Sequence, residues 1–231
     1  MKRESIAKVF GETWVDFMAP FVTTPAFDSI LVKLREDKAA GVVIFPDPTL
    51  VFRAFLETPL PSVRIIIMGQ DPYPIEGYAN DLAFAHPMTK KIAPSLDKII
   101  DAIEVDMYNG LNFAKAQFDT ELKTYPEQGI LLLNASLTVK TGVPGSYTEL
   151  WKPFTDFVIA QLAIVRRDLI WMAWGKDAQT YTEKLHFVTN FILTAEHPAF
   201  AAREKRPWDC KHFSIANAII VGNQLGERIK W

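Results

Sequence analysis

Four short apolar runs constrain this chain more than any other feature: residues 63–68 (VRIIIM), 130–133 (ILLL), 169–173 (LIWMA) and 191–194 (FILT). Each is continuous rather than alternating, the pattern of strands buried on both faces of a parallel sheet. Helical patterns fill the intervals. Trp151, Phe154, Val158, Leu162 and Val165 recur at i, i+3, i+7, i+11 and i+14, one face of a helix. Ser95, after Pro94, reads as the N-cap of another helix that turns Ile99, Ile100 and Ile103 inward. Ser214 reads as the cap of a last helix carrying Ala218 and Ile219. Residues 1–60 read as mostly helical, with Pro46 and Pro48 breaking the pattern before residues 51–56. The expectation is an α/β fold, a single domain over residues 1–231 with a central four-stranded parallel sheet flanked by helices.

Bulk properties narrow the functional classes. A chain of 231 residues, 49% hydrophobic and 23% charged, can bury a sizeable core as one domain. Its formal net charge of −2 excludes a protein held on nucleic acid by bulk charge, so any such contact needs local groups. Cys210 is the single cysteine, which rules out an internal disulfide and suits a reducing compartment. His86, His186, His197 and His212 are widely spread and no CxxC occurs, so neither a structural zinc nor any other metal site is expected. No apolar run approaches the roughly 20 residues of a membrane span. The first residues, MKRESIAKVFGETW, mix Lys2, Arg3 and Lys8 with Glu4 and Glu12 and resemble neither a signal nor a transit peptide.

The residues just beyond each strand are the informative ones. Gly69-Gln70-Asp71-Pro72-Tyr73 comes after the first strand, Asn134 after the second, Trp174-Gly175-Lys176 after the third and His197-Pro198 after the fourth. Ligands of open α/β sheets sit at the carboxyl ends of the strands, so an Asp, an Asn, a Gly turn and a His converge on one rim. No phosphate-binding G-x-x-x-x-G-K-[ST] loop, no dinucleotide G-x-G-x-x-G and no G-x-S-x-G elbow is present. The set suits hydrolysis of a bond next to a planar, hydrogen-bonding ring. Asp71 can orient a water and offset positive charge on a sugar, and His197 can donate to a departing oxygen anion. Asn134 offers a donor and an acceptor side by side. Each also has an ordinary structural role: Asp71 as a turn residue before Pro72, Asn134 as a strand end, His197 as a satisfied buried histidine, Tyr73 and Phe84 as core aromatics.

GQDPY at 69–73, LLLN at 131–134 and HP at 197–198 resemble, in order and spacing, the signature segments of the family 1 uracil-DNA glycosylases. Leu82-Ala83-Phe84 is similar to the family's uracil-stacking segment and Ala93-Pro94-Ser95-Leu96 to its proline-rich loop. The resemblance implies an enzyme that flips uracil out of DNA and hydrolyses its glycosidic bond without metal or organic cofactor. Asp71 and His197 would be catalytic. Asn134 would pair with the uracil edge, Phe84 would stack on the base, Tyr73 would fill the space of a thymine methyl, and the backbone near Gln70 would meet the base. Ser95, Lys176, Ala199, Phe200 and Ala201 would face DNA, single- or double-stranded. A monomer is implied, with a uracil-glycosylase inhibitor protein as a candidate partner, in a bacterial cytoplasm or, for a viral chain, a host-cell interior.

The chain departs from the family pattern at several points. Pro74 stands where most cellular members carry a histidine, and Asn80-Asp81 replaces a His-Gly pair, with Asp81 expected to add negative charge at the DNA-facing rim. Lys176 replaces a phosphate-contacting serine. The loop reads His197-Pro198-Ala199-Phe200-Ala201-Ala202 against a pattern close to HPSPLS, so Ala201 takes the place of the leucine wedge. Phe200 is the alternative wedge, or else packs against Trp208. Arg203, Lys205, Arg206 and Lys211, diluted by Glu204 and Asp209, read equally as a phosphate track or a solvated face. Two other functions stay open: a non-catalytic DNA-binding or replication-accessory protein on this fold, and a glycosylase for another damaged base.

Overall fold

A computed structural model describes residues 1–185 and 190–231; His186 lies outside the described residues. Among the described residues six strands occur in chain order: β1 (Ile44–Phe45), β2 (Ile65–Gly69), β3 (Ile130–Asn134), β4 (Val139–Lys140), β5 (Ile170–Trp174) and β6 (Phe191–Ala195). β1 and β4 form a short antiparallel ribbon, and the other four form a parallel sheet in the order β3-β2-β5-β6. The four apolar runs are these four strands, displaced by at most two residues. β2, β3 and β5 are buried throughout, which their unbroken Ile, Leu, Met and Trp content requires. β6 lies at the sheet edge and is only half-buried.

Register places the strand ends level. Gly69 pairs with Asn134, Met68 with Ala173, and Trp174 with Ala195. The segments that leave these strands therefore start from one rim.

Helix Thr148–Val165 buries Trp151, Phe154, Val158 and Leu162, as its spacing predicts. Val165 does not join them. It sits in the final turn and is 52% exposed, because the helix has by then run past the core. The first 60 residues supply helices Arg3–Phe10, Val15–Val22, Pro25–Ala39 and Arg53–Glu57. Their Phe10, Phe21, Phe52 and Phe55 meet Phe154 with ring centroids 5.6–6.3 Å apart. Edge contacts, with Phe10 stacked on Phe154, suit the aromatic quadrupole, so the N-terminal part forms one side of a core that continues to Trp231.

Two helix starts differ from expectation. Helix Pro94–Tyr108 begins at Pro94 with Ala93 as N-cap, which puts Ser95 inside the first turn. Proline lacks the N–H that a first helical position cannot use and has the φ it needs, so the helix starts one residue early. Ile99, Ile100 and Ile103 face inward. The last helix is His212–Gly222, and Ser214 is again inside it. Asp106 acts as the cap instead, accepting from Ser214 N–H at 2.8 Å and Ser214 Oγ at 2.6 Å. The buried face carries Phe213, Ala216 and Ile220, while Ala218 is exposed and Ile219 half-buried. Among the described residues no single helix is long and apolar enough to cross a membrane.

Candidate active site

The rim encloses a pocket of about 280 Å³ walled by Asp71, Tyr73, Phe84, Asn134 and His197, with Ser95 and Ala199 at its margin. Two glycines make the room. A Cβ on Gly69 would lie 2.3 Å from Asn134 Oδ1 and 2.9 Å from the Cβ of Ala83, so the last residue of β2 must lack one. Gly175 leaves β5 at φ +91°, and a Cβ there would come within 2.9 Å of His197 Cβ. Both signature side chains thus close on space that only glycine leaves free.

His197 is the N-cap of helix Pro198–Arg203, and its Nδ1 accepts the Ala199 N–H at 3.1 Å. A nitrogen that accepts carries no proton, so the neutral ring holds its hydrogen on Nε2. Burial lowers the pKa of this imidazole below its ordinary value, which keeps it neutral. The site therefore presents an uncharged N–H donor.

Asp71 is half-buried, and its Oδ2 accepts the Gly145 N–H at 2.5 Å. Burial raises its pKa and the Gly145 N–H pulls it back down. Tyr73 donates its hydroxyl to the Phe84 carbonyl at 3.1 Å, and burial pushes the phenol well up, so it stays a neutral wall. Phe84 adopts φ +67°, a strained conformation for a bulky residue. Its ring lies 5.4 Å from Trp174 and 5.8 Å from His197. Trp174 is backed by His212, whose Nδ1 accepts the indole N–H at 2.9 Å. Gln70 is exposed at the mouth, and its carbonyl accepts Ser136 N–H at 2.9 Å. Pro74 lines the wall.

Three rim expectations need correction. Asp81 lines the pocket but is not an exposed charge on the rim. It is 3% exposed at φ +63°, neither carboxyl oxygen has a hydrogen-bond partner, and burial holds its pKa well above the ordinary range despite Arg53 nearby. Burial thus favours its protonated form, in a backbone conformation suited to glycine. Ala201 cannot face DNA, because helix Pro198–Arg203 turns it fully into the core. Phe200 does not pack on Trp208, which is buried against Trp174 at 5.0 Å. Phe200 is instead 45% exposed, with the guanidinium carbons of Arg203 and Arg206 at 5.7 and 5.5 Å from its ring centroid. Arg206 also pairs with Glu196 at 2.5 Å.

Lys176 is exposed at the start of helix Lys176–Thr182, outside the pocket wall. Gly145 escaped the sequence reading. Its Pro-Gly dipeptide signals a turn, but nothing local says that the turn meets a carboxylate 74 residues earlier.

Comparison with known proteins shows the family of the chain. The family model for the uracil DNA glycosylase superfamily matches residues 56–220. A uracil-DNA glycosylase of Neisseria gonorrhoeae is 37% identical over 221 residues, covering 95% of this chain and 99% of that one. The crystal structure of mimivirus uracil-DNA glycosylase superposes with a TM-score of 0.86 at 23% identity, covering 99% of this chain and 88% of that one. A variant of the mimivirus enzyme in complex with UGI superposes with a TM-score of 0.87 at 23% identity, covering 100% of this chain and 91% of that one. A pocket set at the ends of four parallel strands, the three signature segments around it and identity along nearly the whole chain lead to one conclusion: this protein belongs to the uracil-DNA glycosylase superfamily.

Proposed function

We propose that Asp71, Asn134 and His197 excise uracil from DNA, hydrolysing the N-glycosidic bond and leaving an abasic site, the first step of base-excision repair. The carrying observation is the His197 ring, neutral and fixed with its Nε2–H free for the pocket. Uracil lies on Phe84, and Asn134 bonds N3–H and O4, an edge that cytosine reverses. Tyr73 occupies the space of a 5-methyl group. As C1′–N1 breaks, its electron pair passes into the base and reaches O2, where His197 Nε2–H meets the negative charge. Asp71, ionised, offsets the cationic sugar and takes a proton from the water whose oxygen bonds C1′.

The whole chain acts as one domain, since its core is continuous from the N-terminal helices to Trp231. Ser95 and Ala199 at the margin and Lys176 beyond it meet phosphates, and exposed Phe200 replaces the missing wedge. The protein works as a monomer where its DNA is: the cytoplasm of a bacterium, or the host interior for a virus. An inhibitor protein like the one bound to the mimivirus variant would compete for the same mouth. The intact chemical set disfavours a non-catalytic accessory role, and Tyr73 with Asn134 disfavours another damaged base. The test is release of free base from uracil-containing oligonucleotides, single- and double-stranded, with and without EDTA, against thymine and cytosine controls. Uracil alone should be released, at a rate EDTA leaves unchanged. No release, or ready release of thymine, overturns the assignment.

A further inference from the structure

The turn that holds Asp71 is itself held from the N-terminal part of the chain. Gly145, whose N–H meets Asp71, takes φ +74° in the turn after β4. Two residues on, Tyr147 is buried and its hydroxyl donates to Asp37 Oδ2 at 2.7 Å. Asp37 stands in the last turns of helix Pro25–Ala39, far from the signature segments in sequence. Lys33 lies 2.8 Å and Lys140 3.3 Å from its carboxylate, and Lys140 Nζ also sits 5.2 Å from the Tyr147 ring centroid. Lys33 first, then the tyrosine hydroxyl, hold the Asp37 pKa at about 2, so this acceptor is ionised at every working pH. Backbone bonds complete the grip: Thr141 N–H to the Val43 carbonyl at 3.0 Å and Gly142 N–H to the Pro74 carbonyl at 2.8 Å.

We propose that Asp37 and Tyr147 are positioning residues for the glycosylase reaction, fixing the turn whose Gly145 N–H orients the Asp71 carboxylate. The proposal rests on the catalytic assignment of Asp71. Its physical content is directional. Burial raises the Asp71 pKa and the Gly145 N–H opposes this, so a slackened turn leaves burial unopposed and less carboxylate ionised. The other titratable groups on the pocket wall are Tyr73, Asp81 and His197. Their hydrogen bonds, where present, go to residues 84 and 199, so a change confined to the turn reaches Asp71 rather than these.

The experiment is the pH dependence of kcat on a uracil-containing single strand, with KM and melting temperature measured alongside. In Tyr147→Phe, which keeps the buried ring, kcat at neutral pH should fall roughly tenfold through misplacement of the reacting group. Its acid limb should move up by about one pH unit, the scale of one lost bond to a charged group, with KM near wild type. Asp37→Ala should displace the limb the same way from the other end of the tie. Asp37→Asn, which keeps an acceptor oxygen, should restore the wild-type limb. Tyr147→Phe tests the tie even if Asp37→Ala, which leaves Lys33 and Lys140 unpaired, fails to fold. A folded Tyr147→Phe with the wild-type limb, whatever its melting temperature, overturns the proposal. Asp71→Asn separates the two assignments. Little loss there removes the catalytic role of Asp71; a large loss there with an unmoved limb in Tyr147→Phe removes only the positioning role.

Discussion

The pocket of this protein and the rim around it are built on different terms. In the pocket, Asp71 is held by the Gly145 N–H, and Asn134 and His197 close on clearances that only glycine leaves, at Gly69 and Gly175. On the rim, Phe200, Arg203 and Lys176 stand on short helices with exposed side chains. The three signature segments are kept in the pocket, whose wall departs from the family pattern at Pro74 and Asn80-Asp81, whereas on the rim Ala199 and Ala202 replace serines and the wedge position is buried Ala201. The difference teaches where tolerance lies. A side chain that must meet a reacting atom is constrained from several directions at once. One that meets a phosphate or a base stack from solvent can be replaced by a neighbour of similar size or charge.

The strongest way to break this contrast is Asp71→Asn. It should fold, bind uracil-containing DNA and lose about 10²-fold or more in release, the scale of a positioned acid–base group. Rates within a few-fold of wild type would place the chemistry elsewhere.

Phe200→Ala probes the rim, and its effect should be smaller and depend on substrate. Extruding a base from a duplex requires unstacking, and aromatic stacking is worth about 1–3 kcal/mol per base. The variant should therefore slow release from double-stranded DNA about tenfold while leaving the single-stranded rate near wild type, at one fixed salt concentration. Equal losses on both substrates would make Phe200 part of the pocket rather than of the rim.

Asp81→Gly sharpens the boundary between the two regions and should have the smallest effect, on stability. Relieving φ +63° should yield about 1 kcal/mol, or roughly 2–4 °C in Tm for a chain of this size. The pH dependence has a definite sign. The folded Asp81 pKa lies well above the unfolded value of about 3.9, so its contribution to stability is full below that value and is lost as pH rises toward the folded pKa. The advantage of the glycine variant should therefore grow with pH above about 4. An unchanged or lowered Tm at pH 8 would mean that the buried carboxyl has a stabilising partner.

Much of this architecture is legible in the amino-acid sequence. The continuous apolar runs dictate a parallel sheet between helical layers, with β2, β3 and β5 buried throughout and only the edge strand β6 half-buried. The polar residues that end those runs had to share a rim, since parallel strands in register end together. Composition and local pattern thus determined the class of fold and the rim on which Asp71, Asn134 and His197 meet. Local pattern could not decide which face of a short segment turns inward. Ser95 and Ser214 were displaced from their caps by Pro94 and by Asp106, the latter from a different helix. Ala201 turned into the core while Phe200, one residue before it in helix Pro198–Arg203, stayed exposed, and Asp81 became a buried part of the pocket wall rather than an exposed charge. The link from Asp37 through Tyr147 and Gly145 to Asp71 joins segments far apart in the chain. Periodicity records how a residue relates to its neighbours along the chain; what packs against it from elsewhere is decided only when the layers close.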